Sequence, residues 1–410
     1  MKILFIHQNF PAQFKNLAPE LARRGHNVSA LFPRRDVPSS WQNIDLKLYD
    51  IKRGNAEGTH PWIIDTESKV IRAEACYRKA RDLAKDGYEP DVIIAHPGWG
   101  ESLFLKLVWP KVKLGIYCEF YYHTAGVDVG FDKEFEYEDP IRLCQVQLKN
   151  ANILLQAQQA DAAICPTHWQ STTFPSHLQD KITVVHDGVD TSVVAPNSAA
   201  QFRLANGEIL TKSNRVITFV NRSLEPYRGF HIFMRSLQEI LNAQPEVEIL
   251  IVGDEGTSYG STPPSEKSWK EIFSDEVLPK LSEAQKTRLH FLGKIPYEQY
   301  LAMLQISTIH VYLTYPFVLS WSLLEAMSIG CAIVASDTSP VQEVIRDGVT
   351  GELFDFFSHR ELSKKVITLL GNSEKQAQLG CAAREYAIAN YDLNKVCLPK
   401  QLEWVERLNA

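Results

Sequence analysis

Short, apolar, β-branched runs alternate with helix-patterned stretches along the 410-residue chain, and the alternation starts twice. That pattern predicts parallel sheets joined by crossover helices, because a parallel strand is buried on both faces and its partner is reached only through a crossover. Lys2–His7 (KILFIH) opens the first series. A helical pattern over Phe14–Gly25 follows, with Phe14, Leu17 and Leu21 on one face and Gly25 as its stop. Further strands are predicted at Asn27–Phe32, Asp91–Ala95, Leu114–Phe120, Ala162–Pro166 and Ile182–His186, with Thr167 as a helix N-cap. A Ser-, Asn- and Ala-rich stretch, Ala195–Ser213, reads as a linker. The second series begins at Arg215–Asn221 and continues at Val247–Gly253, Arg288–Gly293, Ile309–Leu313 and Ala332–Ser336. Between them Asp254–Lys286, Ser/Pro-rich at its start, reads as an insertion or a large loop. From about Glu361 only helical patterns follow.

Composition narrows the function. With 45% hydrophobic and 22% charged residues the chain can build ordinary cores, which excludes a mainly disordered or fibrous protein. A formal charge of −6, with 43 scattered basic residues, argues against a nucleic-acid binder, which needs a concentrated basic surface. Seven cysteines form no Cys-x-x-Cys pair, as expected for reduced thiols in a cytoplasm. No run approaches the ~20 apolar residues of a membrane span, and MKILFIHQNF lacks the features of a signal peptide. The expectation is a cytoplasmic protein, with any membrane contact peripheral at the inner face. Arg72, Arg78, Lys79, Arg81 and Lys85 are interleaved with Glu74, Asp82 and Asp86, which reads as a mixed solvated face.

Open parallel sheets bind ligands beyond the carboxyl ends of their strands, so the chemistry is sought in those loops. In Asn221–Gly229 (NRSLEPYRG), Arg222 and Arg228 flank a strand-to-helix turn. Helix amino termini and guanidinium groups both favour phosphate, although two solvated arginines would read the same. In Tyr315–Gly330, Glu325 is a lone carboxylate on an apolar helix and needs partners, either two ribose hydroxyls or another loop. Asp128, Asp132, Glu134, Glu136, Glu138 and Asp139 read as a solvated acidic loop rather than a metal site.

Taken in order, NRSLEPYRG, LIVGDEG, FLGKIPYEQY and LLEAMSIGCAIVASDTSPVQEVIRDGVTGEL, with LARRGHNV and KITVVHDGVD before them, resemble the motifs of family 4 of the retaining glycosyltransferases. The resemblance covers nearly the whole chain and is strongest from Arg215 to Leu353. It implies an α/β GT-B fold, two facing Rossmann-like domains with parallel sheets and an interdomain cleft. Residues 1–200 would form the acceptor-side domain and 201–385 the donor domain, while 386–410 would be a C-terminal helix returning to the first.

By position, the resemblance implies that Arg222 and Arg228 grip the donor diphosphate and that Glu325 holds the ribose. Lys294 and Ile295 would lie near the base, and backbone N–H groups around Leu319, Ser320, Trp321 and Ser322 near the phosphates or sugar. On the acceptor side His123 would stand close to the reacting sugar, with Glu119 as its rival. His96, Trp99, Glu119 and Tyr122 would contact the acceptor, although aromatic residues at strand ends also serve as core.

Three departures stand out: Arg228 replaces the family lysine, Phe317 replaces the first motif glutamate, and the first loop, His7–Gln13, lacks the family's glycine pair. The implied activity is metal-independent, retaining hexosyl transfer from a nucleotide diphosphate sugar to a hydroxyl acceptor (glycan, glycolipid or small molecule), with no separate cofactor. Phe317 keeps a second reading open, a non-catalytic nucleotide-sugar-binding or regulatory subunit. A GT-B-like epimerase or hydrolase is a third.

Overall fold

The computed structural model describes residues 1–135 and 140–409. The chain divides into two compact units: Met1–Asp187 together with the segment from Asn394, and Gly188–Leu393. Residues 188–200 belong to the second unit because Val189, Val194 and Ala200 are buried in its core.

In the first unit the strands are β1 (Lys2–Ile6), β2 (Asn27–Pro33), β3 (Ser40–Trp41), β4 (Ile44–Tyr49), β5 (Val92–Ala95), β6 (Lys113–Tyr117), β7 (Ala162–Cys165) and β8 (Ile182–Val184). They form one sheet ordered β3-β4-β2-β1-β5-β6-β7-β8, parallel except for the β3–β4 pair. Side chains alternate across β1: Ile3 and Phe5 join one core with Phe14, Leu17 and Leu21, while Leu4 and Ile6 join the other with Cys76, Ala80 and Ile153. The last helix, Leu398–Asn409, adds Leu402, Trp404, Val405 and Leu408 to the first of these cores. Gly115 on β6 permits that approach, since a Cβ there would come within 2.6 Å of Trp404 Cη2.

The second unit begins with an antiparallel hairpin, β9 (Gln201–Arg203) and β10 (Ile209–Thr211), which buries Phe202 and Leu210. This is the stretch expected to be a linker. Its sheet comprises β11 (Arg215–Ser223), β12 (Val247–Asp254), β13 (Leu289–Gly293), β14 (Ile309–Tyr312), β15 (Ala332–Ser336) and β16 (Glu352–Phe354), all parallel and ordered β13-β12-β11-β14-β15-β16. Strand order therefore reverses between β1 and β5 in one sheet and between β11 and β14 in the other. Each reversal leaves a crevice at the carboxyl ends of its strands.

Local expectations met mixed outcomes. Thr167 caps a helix by accepting from Gln170 N at 3.0 Å. The helix expected over Phe14–Gly25 is a turn at Ala12–Phe14 followed by Leu17–Arg23. The expected loop at Asp254–Lys286 contains two helices, Trp269–Val277 and Glu283–Lys286, each opened by a capping box, Ser268 with Glu271 and Ser282 with Gln285. Of the acidic run, Asp128 and Asp132 are buried rather than solvated, and Asp132 accepts from the Glu134 amide at 3.0 Å. Glu136, Glu138 and Asp139 lie outside the described residues. Among the described residues no helix is long and apolar enough to cross a membrane.

Candidate functional site

At the carboxyl end of β11 the chain turns through Pro226–Arg228 and enters the helix Phe230–Ala243. Gly229 makes the turn possible: its φ is +68°, and a Cβ would collide with Leu313. Arg228 is only 5% exposed, so its charge must be met by protein or ligand. Nη1 donates to Thr314 Oγ1 at 2.6 Å and to the Val318 carbonyl at 3.0 Å. The guanidinium carbon lies 5.0 Å from the Tyr259 ring centre and 5.6 Å from that of Phe317. Nε and Nη2 have no protein acceptor among the described residues. Arg222, at the end of β11, is exposed and makes no hydrogen bond or ion pair among them.

Val318, one of the oxygens that hold Arg228, leads directly into Leu319 and Ser320. Ser320 is the N-cap of the helix Trp321–Ile329; its hydroxyl accepts from Ser322 N, and its own amide donates to Tyr312 Oη at 3.0 Å. The structure thus brings Arg228, Phe317 and the amino terminus of this helix together. Glu325 follows one turn later, accepting from Tyr297 Oη and from Tyr300 Oη, each at 2.7 Å. Burial, reinforced by the Glu325 charge, pushes both phenols above their ordinary pKa. Lys294, past the end of β13, is exposed and paired with Asp254, and that hydrogen bond holds the carboxyl below its ordinary pKa. Ile295 packs half-buried against the core.

In the first unit the carboxyl ends of β5 and β6 open into a cavity of ≈ 330 Å³ whose walls include His96, Trp99, Glu119 and Tyr122. His96 is 4% exposed. Its Nδ1 accepts from the Gly98 amide at 3.1 Å, which assigns the ring proton to Nε2, 3.5 Å from Glu119 Oε2. Glu119 Oε1 accepts from Gln13 at 3.0 Å, and Gln13 in turn accepts from His7 Nε2 at 2.8 Å. Burial, with the neighbouring His96, pulls His7 down to about 3, so it stays neutral. The first loop, which lacks glycines, therefore ties itself to Glu119 through side chains.

Trp99 packs on His96, their ring centres 4.5 Å apart. His123 sits elsewhere: its Nε2 donates to the Thr173 carbonyl at 2.7 Å, and it is not part of the cavity wall. Two groups went unforeseen. Lys69, Arg72 and Lys149 line the same cavity. Lys69 pairs with Asp65 at 2.6 Å, while Arg72 and Lys149 have no carboxylate within ion-pair distance among the described residues. The second group is Glu225 and Tyr259, around Arg228. Glu225 lies within NRSLEPYRG, but nothing in the sequence ties it to Tyr259, and Lys149 likewise lies on a separate element from Lys69 and Arg72.

Comparison with known proteins adds a separate line of observation. Residues 24–194 match the family described as Glycosyl transferase family 4 group, and residues 202–386 match Glycosyl transferases group 1. A D-inositol 3-phosphate glycosyltransferase of Corynebacterium efficiens is 24% identical over 387 residues, covering 90% of this chain and 83% of that protein. One from Segniliparus rotundus is 23% identical, covering 91% and 79%. Among solved structures, sucrose-phosphate synthase of Thermosynechococcus elongatus superposes with a TM-score of 0.72 at 15% identity, covering 99% of this chain and 98% of that one. Anabaena HepE in complex with UDP and glucose superposes with a TM-score of 0.68 at 16% identity, covering 99% of both chains.

Proposed function

This chain belongs to the GT-B glycosyltransferases of family 4, and from that premise we propose that it transfers a hexose-type residue from a nucleotide diphosphate sugar to a hydroxyl acceptor with retention of configuration. The observation that carries the reading is Arg228. One guanidinium edge is bound to Thr314 and Val318, its other N–H groups have no protein acceptor among the described residues, and it stands beside the helix that Ser320 caps. Such an arrangement suits a diphosphate, which takes charge-assisted bonds from guanidinium and N–H groups from a helix amino terminus. The exposed Arg222 would supply the second cation, so the departing diphosphate is neutralised by side chains and needs no metal. Glu325 would accept from the ribose hydroxyls. Because HepE is seen with UDP and glucose, uridine diphosphate sugars are the first donors to test.

The acceptor is assigned to the cavity of the first unit. There the His96 N–H and the Glu119 carboxylate would hold its hydroxyl, with the departing phosphate taking the proton on the face that the acceptor attacks. Lys69, Arg72 and Lys149 favour an acceptor that also carries a negative group, in keeping with relatives named for D-inositol 3-phosphate. The first unit, Met1–Asp187 with the segment from Asn394, would thus serve the acceptor and Gly188–Leu393 the donor, in a cytoplasmic enzyme whose membrane contact, if any, is peripheral.

The test is Arg222→Ala. Its side chain is exposed, so the melting temperature should hold, while kcat/KM should fall by at least ~100-fold, the loss expected of one transition-state donor. Unchanged activity would sink the assignment. Wild-type protein that binds nucleotide sugar yet turns over with no acceptor would instead favour the non-catalytic reading that Phe317 invites.

A further inference from the structure

Glu225 stands three residues before Arg228 and is fully buried. Its carboxylate accepts from three successive backbone amides across the loop that follows β12: Ser258 N at 3.3 Å and Tyr259 N at 3.1 Å to Oε1, and Gly260 N at 3.0 Å to Oε2. Three converging N–H groups form the kind of concave nest that binds anions, and here the chain's own carboxylate occupies it. The hydroxyls of Ser223 and Ser258 add a second tie at 2.6 Å, and Trp269 Nε1 donates to the Ser261 carbonyl at 2.9 Å beyond it. Gly260 suits the close approach, since a Cβ would lie 3.3 Å from Glu225 Oε2. Loops with so many polar anchors are held in one place, and what this one presents is the Tyr259 ring.

That ring is 39% exposed and lies 5.0 Å from the guanidinium carbon of Arg228, with Phe317 at 5.6 Å. The two rings are 5.2 Å apart, and Tyr227, which precedes Arg228, touches both. A guanidinium bounded by aromatic faces is shielded from water and fixed in plane. We propose that Glu225 is a positioning residue which, by clasping the loop at Ser258–Gly260, sets Tyr259 against Arg228 and so holds the guanidinium in the orientation that receives the donor diphosphate. Tyr259 thereby becomes an aromatic wall of the donor site. The inference rests on the donor reading given above. The amides fall on both carboxyl oxygens, so glutamine, with one oxygen and one NH2, would set an NH2 against an amide N–H and cannot substitute.

The experiment compares wild type, Glu225→Gln, Tyr259→Ala, Tyr259→Phe and the Glu225→Gln/Tyr259→Ala double variant. Amide hydrogen exchange is read at residues 258–260. Binding of uridine, guanosine and adenosine diphosphates is read by calorimetry. Glu225→Gln should speed exchange at those amides at least ~tenfold and weaken nucleotide binding about 2- to 30-fold, the range that one lost cation–π contact spans. Tyr259→Ala should weaken binding as much without lowering the melting temperature, and Tyr259→Phe should bind as wild type does. Because both single changes remove one device, the double variant should bind within about twofold of the weaker single variant. Tyr259→Ala binding as tightly as wild type, losses that multiply in the double variant, or unaltered exchange in Glu225→Gln would each overturn the clasp. Wild type that binds none of the three diphosphates would overturn the donor reading instead, and the exchange result would still judge the clasp.

Discussion

The Tyr300 hydroxyl donates to Glu325 Oε2 at 2.7 Å, and Tyr297 engages the other oxygen at the same distance. A carboxylate oxygen can accept more than one hydrogen bond, so Glu325 could receive a ribose hydroxyl while it holds the two phenols. Glu325→Ala removes the carboxylate and should weaken nucleotide diphosphate binding about 10- to 100-fold, the worth of one charged hydrogen bond at ~1.5–3 kcal/mol. Tyr297→Phe, at a half-exposed ring, should change binding less than threefold. Calorimetry separates the two, and equal losses would mean that Glu325 serves only as a tyrosine anchor.

The motif resemblance sets Phe317 against a family glutamate, and we propose that introducing a glutamate there harms the protein. Phe317 is 6% exposed and packs against Arg228, Tyr227 and Tyr259. A carboxylate there would sit in a poorly solvated place beside the guanidinium and compete with the diphosphate for it. Phe317→Glu should lower nucleotide affinity at least tenfold, an order of magnitude set by one charged contact. Tighter binding in that variant would show that the aromatic wall obstructs the site.

The parallel strands were legible because burial on both faces leaves continuous apolar runs, as in KILFIH and VEILIVG. Ile44–Tyr49 (IDLKLY) was missed because, lying beside the short outermost β3, it alternates apolar residues with Asp45 and Lys47. The β9–β10 hairpin was missed because its two three-residue strands lie among Ser, Asn and Ala. Arg222, Arg228 and Glu325 could be singled out because each lies in a contiguous motif. Tyr259 lies 31 positions from Arg228 in sequence, and Lys69 lies 80 from Lys149. Only the fold brings such residues to one place. The pairing of His96 with Glu119 likewise follows from β5 and β6 being neighbours.

Acid should destabilise the protein through histidines that stay neutral when buried. Burial lowers His7 and His310 to about 3 and His186 to about 4. The unfolded chain protonates near 6.5, so below that pH it takes up protons that the folded chain refuses. Stability is therefore unaffected by these groups above about pH 6.5 and is lost as pH falls towards 4, at ~1.4 kcal/mol per pH unit for each histidine. Glu101 and Glu225, raised by burial, act in the opposite direction and reduce the net slope. His310→Gln removes one term, so denaturant melts between pH 7 and 5 should show its slope smaller by about one proton. An unchanged slope would mean that His310 is charged in the fold.

Gly115 gives the terminal helix its seat in the first unit. A side chain there would meet Trp404 Cη2 at 2.6 Å and Leu408 Cδ2 at 2.7 Å, distances that carbon atoms do not tolerate. Neither neighbour can withdraw easily, because Trp404 and Leu408 are 4% and 5% exposed in the same core as Ile3, Phe5 and Ile94. Gly115→Val should therefore destabilise the first unit by about 1–3 kcal/mol, the usual effect of overpacking, and expose the chain beyond Asn394 to proteolysis. Trp404→Ala leaves a cavity that costs about 3–5 kcal/mol alone, but it also frees space for the new side chain. The two changes should then compensate: the double variant should lose less stability than the two singles added together. Full additivity would show that the helix does not bear on β6 at Gly115, and the terminal segment would need another anchor.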